Sequence, residues 1–312
     1  MCTAIQSEQG LFGRTLDYEI SFGETVTIAP RNFRFNFGYA EPCDTHFAII
    51  GMATVRDGYP LFYDAVNEKG LAVAGLNFPK SAYFPQPENG KKNIATFELI
   101  PYILGSCSDV DNARQALENT VIHGEAFSPE LPAASLHWMI ADRDKSIVLE
   151  SRRDGLFIYE NTAAVLTNEP PFPRATAYLK GFSHLSHTEP DGVVDSRGTG
   201  AVGLPGDYSS RSRFVRAAFL NSAAILPDGR DEQVAEFFNV LGAVEVPQGA
   251  LRLKNEKLVT SIYTSCIDQK TAVYYYKTQK NSRVTKVALA GREDGDTLIS
   301  FPLKTNTDFL YE

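Results

Sequence analysis

The chain has 312 residues, is 43% hydrophobic and 22% charged, and carries a formal charge of −8, with 38 acidic residues against 30 basic. This is the composition of a soluble globular protein with a sizeable core. The acidic balance without a basic stripe argues against nucleic-acid and anionic-membrane binding, and no apolar run reaches the length of a membrane span.

The N-terminal third reads as strand after strand. "CTAIQS", "LFGRTLDYE", "TVTIAP" and "HFAIIGMAT" are short apolar or alternating runs divided by turn residues. The first two make a hairpin around Gly10. "LFYDAVNEKGLAVAGLNFP" reads as two strands folded about Asn67-Glu68-Lys69-Gly70. Character changes at 94–119. "ATFELIPYILG" has helical spacing, with Pro101 required in the first turn or at a kink. "SDVDNARQALENT" is a second helix. Ser108 and Asp111 give it a capping-box-like start, and Val110, Ala113 and Leu117 share one face.

Strands return with "SLHWMIAD", "SIVLESRR", "LFIYE" and "AVLTN". Helices follow at about 174–182, "SRFVRAAFLNSAAIL" and "DEQVAEFFNVLGAV". "TSIYTSCIDQ", "TAVYYYKTQ" and "RVTKVALA" close the chain as a meander. Strands, helices and strands again predict packed sheets with helices outside, an α+β arrangement in one domain over 1–312.

Most motifs read blandly. "GTGAVG" at 198–203 matches a dinucleotide fingerprint by letter. No buried strand precedes it, and Pro205 and Gly206 prevent it from opening a helix, so it reads as a loop and not as an oxidoreductase signature. Among the histidines, only His184 and His187 are close, without a metal-binding arrangement. His137 beside Trp138 reads as a packed residue. No G-x-S-x-G elbow is present. Cys2, Cys43, Cys107 and Cys266 form no CxxC pair, so neither a disulfide framework nor a zinc site is expected. The first twenty residues lack a secretory pattern, and a reducing cytoplasm is the expected location.

The N-terminus carries the chemistry. Removal of Met1 makes Cys2 the terminal residue, with a thiol and an α-amine on one residue. Unperturbed, these titrate near about 8.5 and about 8. The amine can take the thiol proton and return it to a leaving amine. A carboxylate to hold the amine and a cation to favour the thiolate are both offered by Asp17 and Arg14 in "FGRTLDYE". Asn77 in "GLNFP" and Asn168 in "LTNEP" end strands and can offer a backbone N–H and a side-chain NH₂ to an oxyanion.

Taken together, "MCTAI", "FGRTLDYEISFGETVTIAPRNF", "YDAVNEKGLAVAGLNFP", "LHWMIAD", "SIVLES", "VLTNEP", "GTGAVGLPGDYSSRSRFVRAAF" and "YTSC…YYY" resemble the choloylglycine hydrolase family. That family comprises bile salt hydrolases and penicillin V acylases, which are N-terminal-nucleophile amidases. The resemblance covers nearly the whole chain. It implies a four-layer αββα sandwich of two antiparallel sheets. It implies Cys2 as nucleophile, its α-amine as base, Arg14 and Asp17 flanking them, Asn77 and Asn168 at the oxyanion, and Arg213 of "SRF" completing the site. Leu16 and Phe22 match pocket-lining positions, and Arg56 stands where a bulky apolar residue is often found.

Asn77, where the acylase branch typically has tyrosine, resembles the bile-salt branch. The implied reaction is hydrolysis of the amide joining a bile acid to glycine or taurine, without metal or cofactor, by a homotetramer. The alternatives are hydrolysis of penicillin V or an acyl homoserine lactone, and non-catalytic amphiphile binding on the same scaffold. Residues 36–46, 123–134 and 180–197 follow no family pattern.

Overall fold

The computed structural model describes residues 1–40, 43–192 and 197–312; residues 41–42 and 193–196, inside the unmatched stretches 36–46 and 180–197, lie outside the described residues. β1 (Cys2–Gln6) and β2 (Leu11–Tyr18) form the expected hairpin, with Cys2 opposite Leu16 and Ala4 opposite Arg14. Gly10 supplies the turn with φ +70°, a conformation that a side chain would strain. β3 (Thr25–Ala29), β4 (Ile49–Arg56), β5 (Tyr59–Asn67) and β6 (Ala72–Asn77) run as an antiparallel meander.

An excursion follows. β7 (Lys92–Ala95), α1 (Leu99–Ser106), α2 (Val110–Leu117) and β8 (Thr120–His123) lie in sequence, and β7 pairs with β8 in parallel. β9 (Leu136–Ala141), β10 (Ser146–Arg152) and β11 (Gly155–Glu160) then extend the meander, with β9 against β6. β12 (Val165–Leu166) pairs with β1. The second helical layer is α3 (Phe172–Leu179), α4 (Ser210–Ala223) and α5 (Arg230–Gly242). β13 (Leu251–Arg252), β14 (Leu258–Asp268), β15 (Val273–Thr278), β16 (Thr285–Ala288) and β17 (Ile299–Pro302) complete the sheets.

One sheet has the order β12-β1-β2-β14-β15-β16, with β13 beside β14; the other has the order β11-β10-β9-β6-β5-β4-β3-β17. Side-chain alternation explains how they stack. Along β6, Ala72, Ala74 and Leu76 enter the core that joins the two sheets, while Val73 and the preceding Leu71 pack outward. Along β9, Met139 and Ala141 go inward, and Trp138 and Ile140 outward. The outward set receives Leu99 and Ile103 of α1 and Val110, Ala113 and Leu117 of α2. Beyond the other sheet, Phe214 and Ala217 of α4 and Phe237 and Leu241 of α5 pack down. Each fully buried Leu, Ile or Phe contributes about 1.5–3 kcal/mol. The result is the predicted α+β, four-layer αββα sandwich.

Two local expectations change. The α2 cap is Asp109, not Ser108. Asp109 has extended backbone and accepts the Asn112 N–H at 2.8 Å, while the Ser108 hydroxyl donates to Asp109 Oδ2. The "AVLTN" strand shrinks to two residues, because past Leu166 the chain leaves β1 to place Asn168 beside Cys2.

Candidate active site

Cys2 begins the second strand of its sheet and is 3% exposed. Its partner across the ladder, Leu16, shares its face, and so does Arg14 two residues earlier. Thr3, Thr15 and Asp17 occupy the opposite face. The hairpin register therefore separates two environments: Arg14 lies on the thiol side and Asp17 on the helical side, near the end of β2.

Arg14 is fully buried between the sheets. β5 and β6 pair at Ala65–Val73 and Asp64–Ala74, so the next rung would join Tyr63 to Gly75. That rung is open. Arg14 Nη1 fills it, donating to Tyr63 O at 3.2 Å and Gly75 O at 2.5 Å. Tyr63 is the extra residue of a β-bulge, since Met52 faces Asp64 while Ala53 faces Phe62. Nη2 has no hydrogen-bond partner among the described residues. Burial works against the Arg14 charge, but Cys2, Tyr263, Asp64 and Asp17 together raise its pKa above the ordinary arginine value.

Asp17 is also fully buried. Its carboxylate accepts from Ser261 Oγ at 2.5 Å and Thr15 Oγ1 at 3.0 Å. Burial pushes this carboxyl up, against the pull of Arg213, the N-terminal ammonium and the two hydroxyls. Its backbone holds Met1: the Met1 amine donates to Asp17 O, and Asp17 N–H donates to Met1 O at 2.8 Å.

Asn168 joins the remaining groups. Cys2 N donates to Asn168 Oδ1 at 2.9 Å, and Arg213 Nη2 donates to the same oxygen at 2.7 Å. Asn168 Nδ2 donates to Asn77 O at 2.7 Å. Two donors on one atom and an acceptor on the other leave a single amide orientation. Arg213 Nη1 further donates to Cys2 O at 2.5 Å and Thr3 Oγ1 at 2.7 Å, and Nε to Tyr208 O at 3.1 Å. Burial pulls the Arg213 guanidinium down from its ordinary value, opposed by Asp17 and Cys2.

Asn77 enters through its backbone. Phe78 N–H donates to Ser135 O across the β6–β9 ladder, so Leu76 and Phe78 turn their backbone groups to β9. Asn77, between them, turns its N–H and C=O the other way, past the last β5 rung. Its N–H and Asn168 Nδ2 are thus on the same side of the site.

Cys2, Asn77, Asn168 and Arg213 are therefore joined by hydrogen bonds, with the Arg14 and Asp17 charges on the two faces of the hairpin beside Cys2. Leu16 lies directly across from Cys2. Phe22 sits farther out, on the loop after β2, with its ring 5.5 Å from Tyr18 and its carbonyl accepting from Arg56 Nη2 at 2.9 Å. A cavity of about 500 Å³ opens beside this loop, lined by Tyr18, Ile20, Glu24, Ile262, Pro302 and Leu303. None of the six site residues lines it, so chemistry and not cavity size locates the site.

Elsewhere, Thr199–Ala201 is a single 3₁₀ turn, and α4 starts only at Ser210, so the glycine-rich loop opens no helix. His187 packs on Phe219 at 4.1 Å and His184 lies 6.1 Å from Phe182. No group of three or more potential metal ligands occurs among the described residues, and no described helix is long and apolar enough to cross a membrane. Sequence reasoning missed Ser261, Thr3 and Ser210, whose hydroxyls reach the site only through tertiary pairing. His137 is packed, but it is also hydrogen-bonded to the carbonyl preceding Asn168.

Two antiparallel sheets between helical layers, with the first residues of the first strand ringed by polar groups, are the architecture of the N-terminal-nucleophile hydrolases. A family profile described as linear amide C–N hydrolases, choloylglycine hydrolase family, matches residues 2–298. The chain is 43% identical to a bile salt hydrolase/transferase of Lactiplantibacillus plantarum, covering 99% of both sequences. It is 37% identical to one of Clostridium perfringens, covering 92% of both. The crystal structure of the C2A mutant of a conjugated bile acid hydrolase from Clostridium perfringens superposes with a TM-score of 0.91 at 34% identity, covering 100% of this chain and 99% of that one. Penicillin V acylase from Agrobacterium tumefaciens shares the fold, with a TM-score of 0.79 at 20% identity over 100% and 94% of the chains. The chain belongs to the choloylglycine hydrolase family and is a hydrolase of linear amide C–N bonds.

Proposed function

We propose that the chain, after loss of Met1, hydrolyses the amide of glycine- or taurine-conjugated bile acids as one amidohydrolase domain. The observation that carries the reading is the position of Cys2 N, 2.9 Å from Asn168 Oδ1, in a site closed by Arg213 and Asp17. Similarity to bile salt and conjugated bile acid hydrolases supports the substrate class.

In this mechanism Met1 must leave first. The atom that is now the Cys2 amide nitrogen becomes the α-amine, oriented by Asn168 Oδ1. The amine takes the thiol proton, with the Arg14 charge favouring the thiolate. Sulfur attacks the amide carbon. The C–S bond forms, and the oxyanion is met by Asn77 N–H and the second N–H of Asn168 Nδ2. The C–N bond breaks as the α-ammonium passes its proton to the departing glycine or taurine nitrogen. Water, deprotonated by the same amine, then cleaves the thioester. Nucleophile, base and donors all come from the chain.

Leu16 and Phe22 supply apolar surface for the steroid. The four free cysteines suit the reducing cytoplasm, and family resemblance supports a homotetramer, which light scattering on the purified enzyme tests. The deciding experiment compares Met1-processed enzyme with its Cys2→Ala variant on glycocholate, taurocholate, penicillin V and an acyl homoserine lactone. Preferential turnover of the two bile salts, abolished by Cys2→Ala, is expected. Full glycocholate hydrolysis by Cys2→Ala would overturn the mechanism, and faster turnover of penicillin V or the lactone would overturn the substrate class.

A further inference from the structure

His137 and Glu150 are wholly buried on neighbouring strands β9 and β10, where an apolar pair would fill the space at less desolvation cost. Their contacts lead to both oxyanion residues. The His137 ring stacks on Phe78, the residue after Asn77, with centroids 4.2 Å apart and planes at 6°. His137 Nε2 lies 2.8 Å from Thr167 O, the carbonyl that precedes Asn168. That oxygen only accepts, so Nε2 carries a proton. Nδ1 faces Glu150 Oε1 at 3.4 Å, and this oxygen also accepts the Phe172 N–H at the start of α3, at 2.8 Å. Glu150 Oε2 faces Arg152 at 3.6 Å.

The other end of the same peptide unit is held as well. Asn168 N–H donates to Ser210 Oγ at 2.9 Å, from the first residue of α4. The Thr167–Asn168 peptide therefore has its carbonyl held by His137 and its N–H by Ser210. A peptide fixed at both ends fixes the Cα from which the Asn168 amide projects.

We propose that His137, backed by Glu150, and Ser210 are positioning residues that clamp the Thr167–Asn168 peptide and so set the Asn168 amide against the oxyanion. The inference rests on the reading of Asn168 as an oxyanion donor. His137 acts at a distance from the reacting atoms; it also braces Phe78, so one ring registers both walls of the oxyanion hole. A displacement of 1 Å at such a site costs about 10²-fold in rate.

The test uses processed enzyme and glycocholate, with kcat and KM measured separately. Gln at 137 carries a side-chain N–H as far out as Nε2, whereas Asn reaches only as far as Nδ1. His137→Gln is expected to keep kcat within about threefold. His137→Asn and Ser210→Ala are expected to lower kcat by about 10–100-fold with KM within about twofold. Wild-type kcat in both His137→Asn and Ser210→Ala would overturn the clamp, as would equal losses in His137→Gln and His137→Asn. If His137→Asn does not fold by circular dichroism, Ser210→Ala decides. Asn168→Ala separates the two levels of inference. Its retention of wild-type kcat would remove the oxyanion reading itself, whereas its loss beside active His137→Asn and Ser210→Ala would remove the clamp alone.

Discussion

Arg213 Nη2 and Asn168 Oδ1 lie 2.7 Å apart in a site where Arg213 is fully buried and Asn168 is 9% exposed. The same guanidinium reaches Cys2 O and Thr3 Oγ1, so one side chain ties the start of β1 to Asn168. Only a planar fork spans these acceptors together. Arg213→Lys keeps the charge but serves at most part of the set. It should lower kcat by about 10²-fold through misplacement of Asn168, and cost about 1–3 kcal/mol through unsatisfied buried acceptors. Steady-state kinetics on glycocholate and urea denaturation check both figures.

Asn168→Asp is nearly isosteric and separates catalysis from stability. It replaces the Nδ2 donor with an oxygen that faces Asn77 O, while Arg213 gains a full carboxylate partner. On the proposed mechanism this removes one oxyanion donor, a loss that costs about 10²–10³ in kcat. The Tm should fall less than in Arg213→Lys, because only Asn77 O loses its donor while the buried guanidinium stays paired. Parallel kinetics and thermal melts of the two variants give the comparison; equal Tm losses would contradict it.

The sequence displayed those features that depend on local pattern. Alternation along 2–18 is enough to read the β1–β2 hairpin, and that hairpin alone brings Arg14 and Asp17 to Cys2. The turn at Asn67–Gly70 and the buried stripe of Val110, Ala113 and Leu117 were readable for the same reason. What escaped depends on register between distant strands. Arg14 fills a rung that exists only because β5 bulges at Tyr63. Ser261 reaches Asp17 only because β14 shifts register against β2 between Ser261 and Tyr263. His137 looked like core because its strand is apolar on both sides. Its Nε2 partner, thirty residues on, is a backbone carbonyl, which no side-chain motif can announce.

The loop before α4 gives a stability prediction with a defined pH window. Asp207 Oδ2 accepts from Ser212 Oγ at 2.5 Å, and Asp207 Oδ1 accepts from Ser209 N–H at 2.8 Å. These bonds hold the Asp207 carboxyl down to about 2, from an ordinary value of 3.8. A carboxylate depressed in the folded state stabilises it above the unfolded value and loses that contribution as pH falls through the folded one. The wild-type Tm should therefore drop between about pH 4 and about pH 2, in part through this group. Asp207→Asn should lower Tm at pH 7 and show a shallower slope in that window. Differential scanning calorimetry from pH 2 to pH 7 reads both, and an unchanged slope would show that Asp207 is not linked to folding.

The Asp17 carboxylate gives a prediction for activity. Burial already pushes its pKa up, and Ser261 and Thr15 oppose that by donating to the ionised form. Ser261 also accepts the Val246 N–H at 2.8 Å, so its oxygen is held between strand β14 and the segment after α5. Ser261→Ala removes a donor that favours the charged state, which raises the Asp17 pKa further. If the ionised carboxylate holds the Cys2 ammonium in the working enzyme, activity on the acid side falls as Asp17 takes a proton. The acid limb of kcat/KM should therefore move to higher pH in Ser261→Ala, with the alkaline limb unmoved. At the optimum, kcat should stay within about threefold, because Thr15 still fixes the other oxygen. Ser261→Thr retains the hydroxyl and should restore the wild-type limb. A packing defect would lower the whole profile without shifting it, so the position of the acid limb, and not its height, is the decisive measurement.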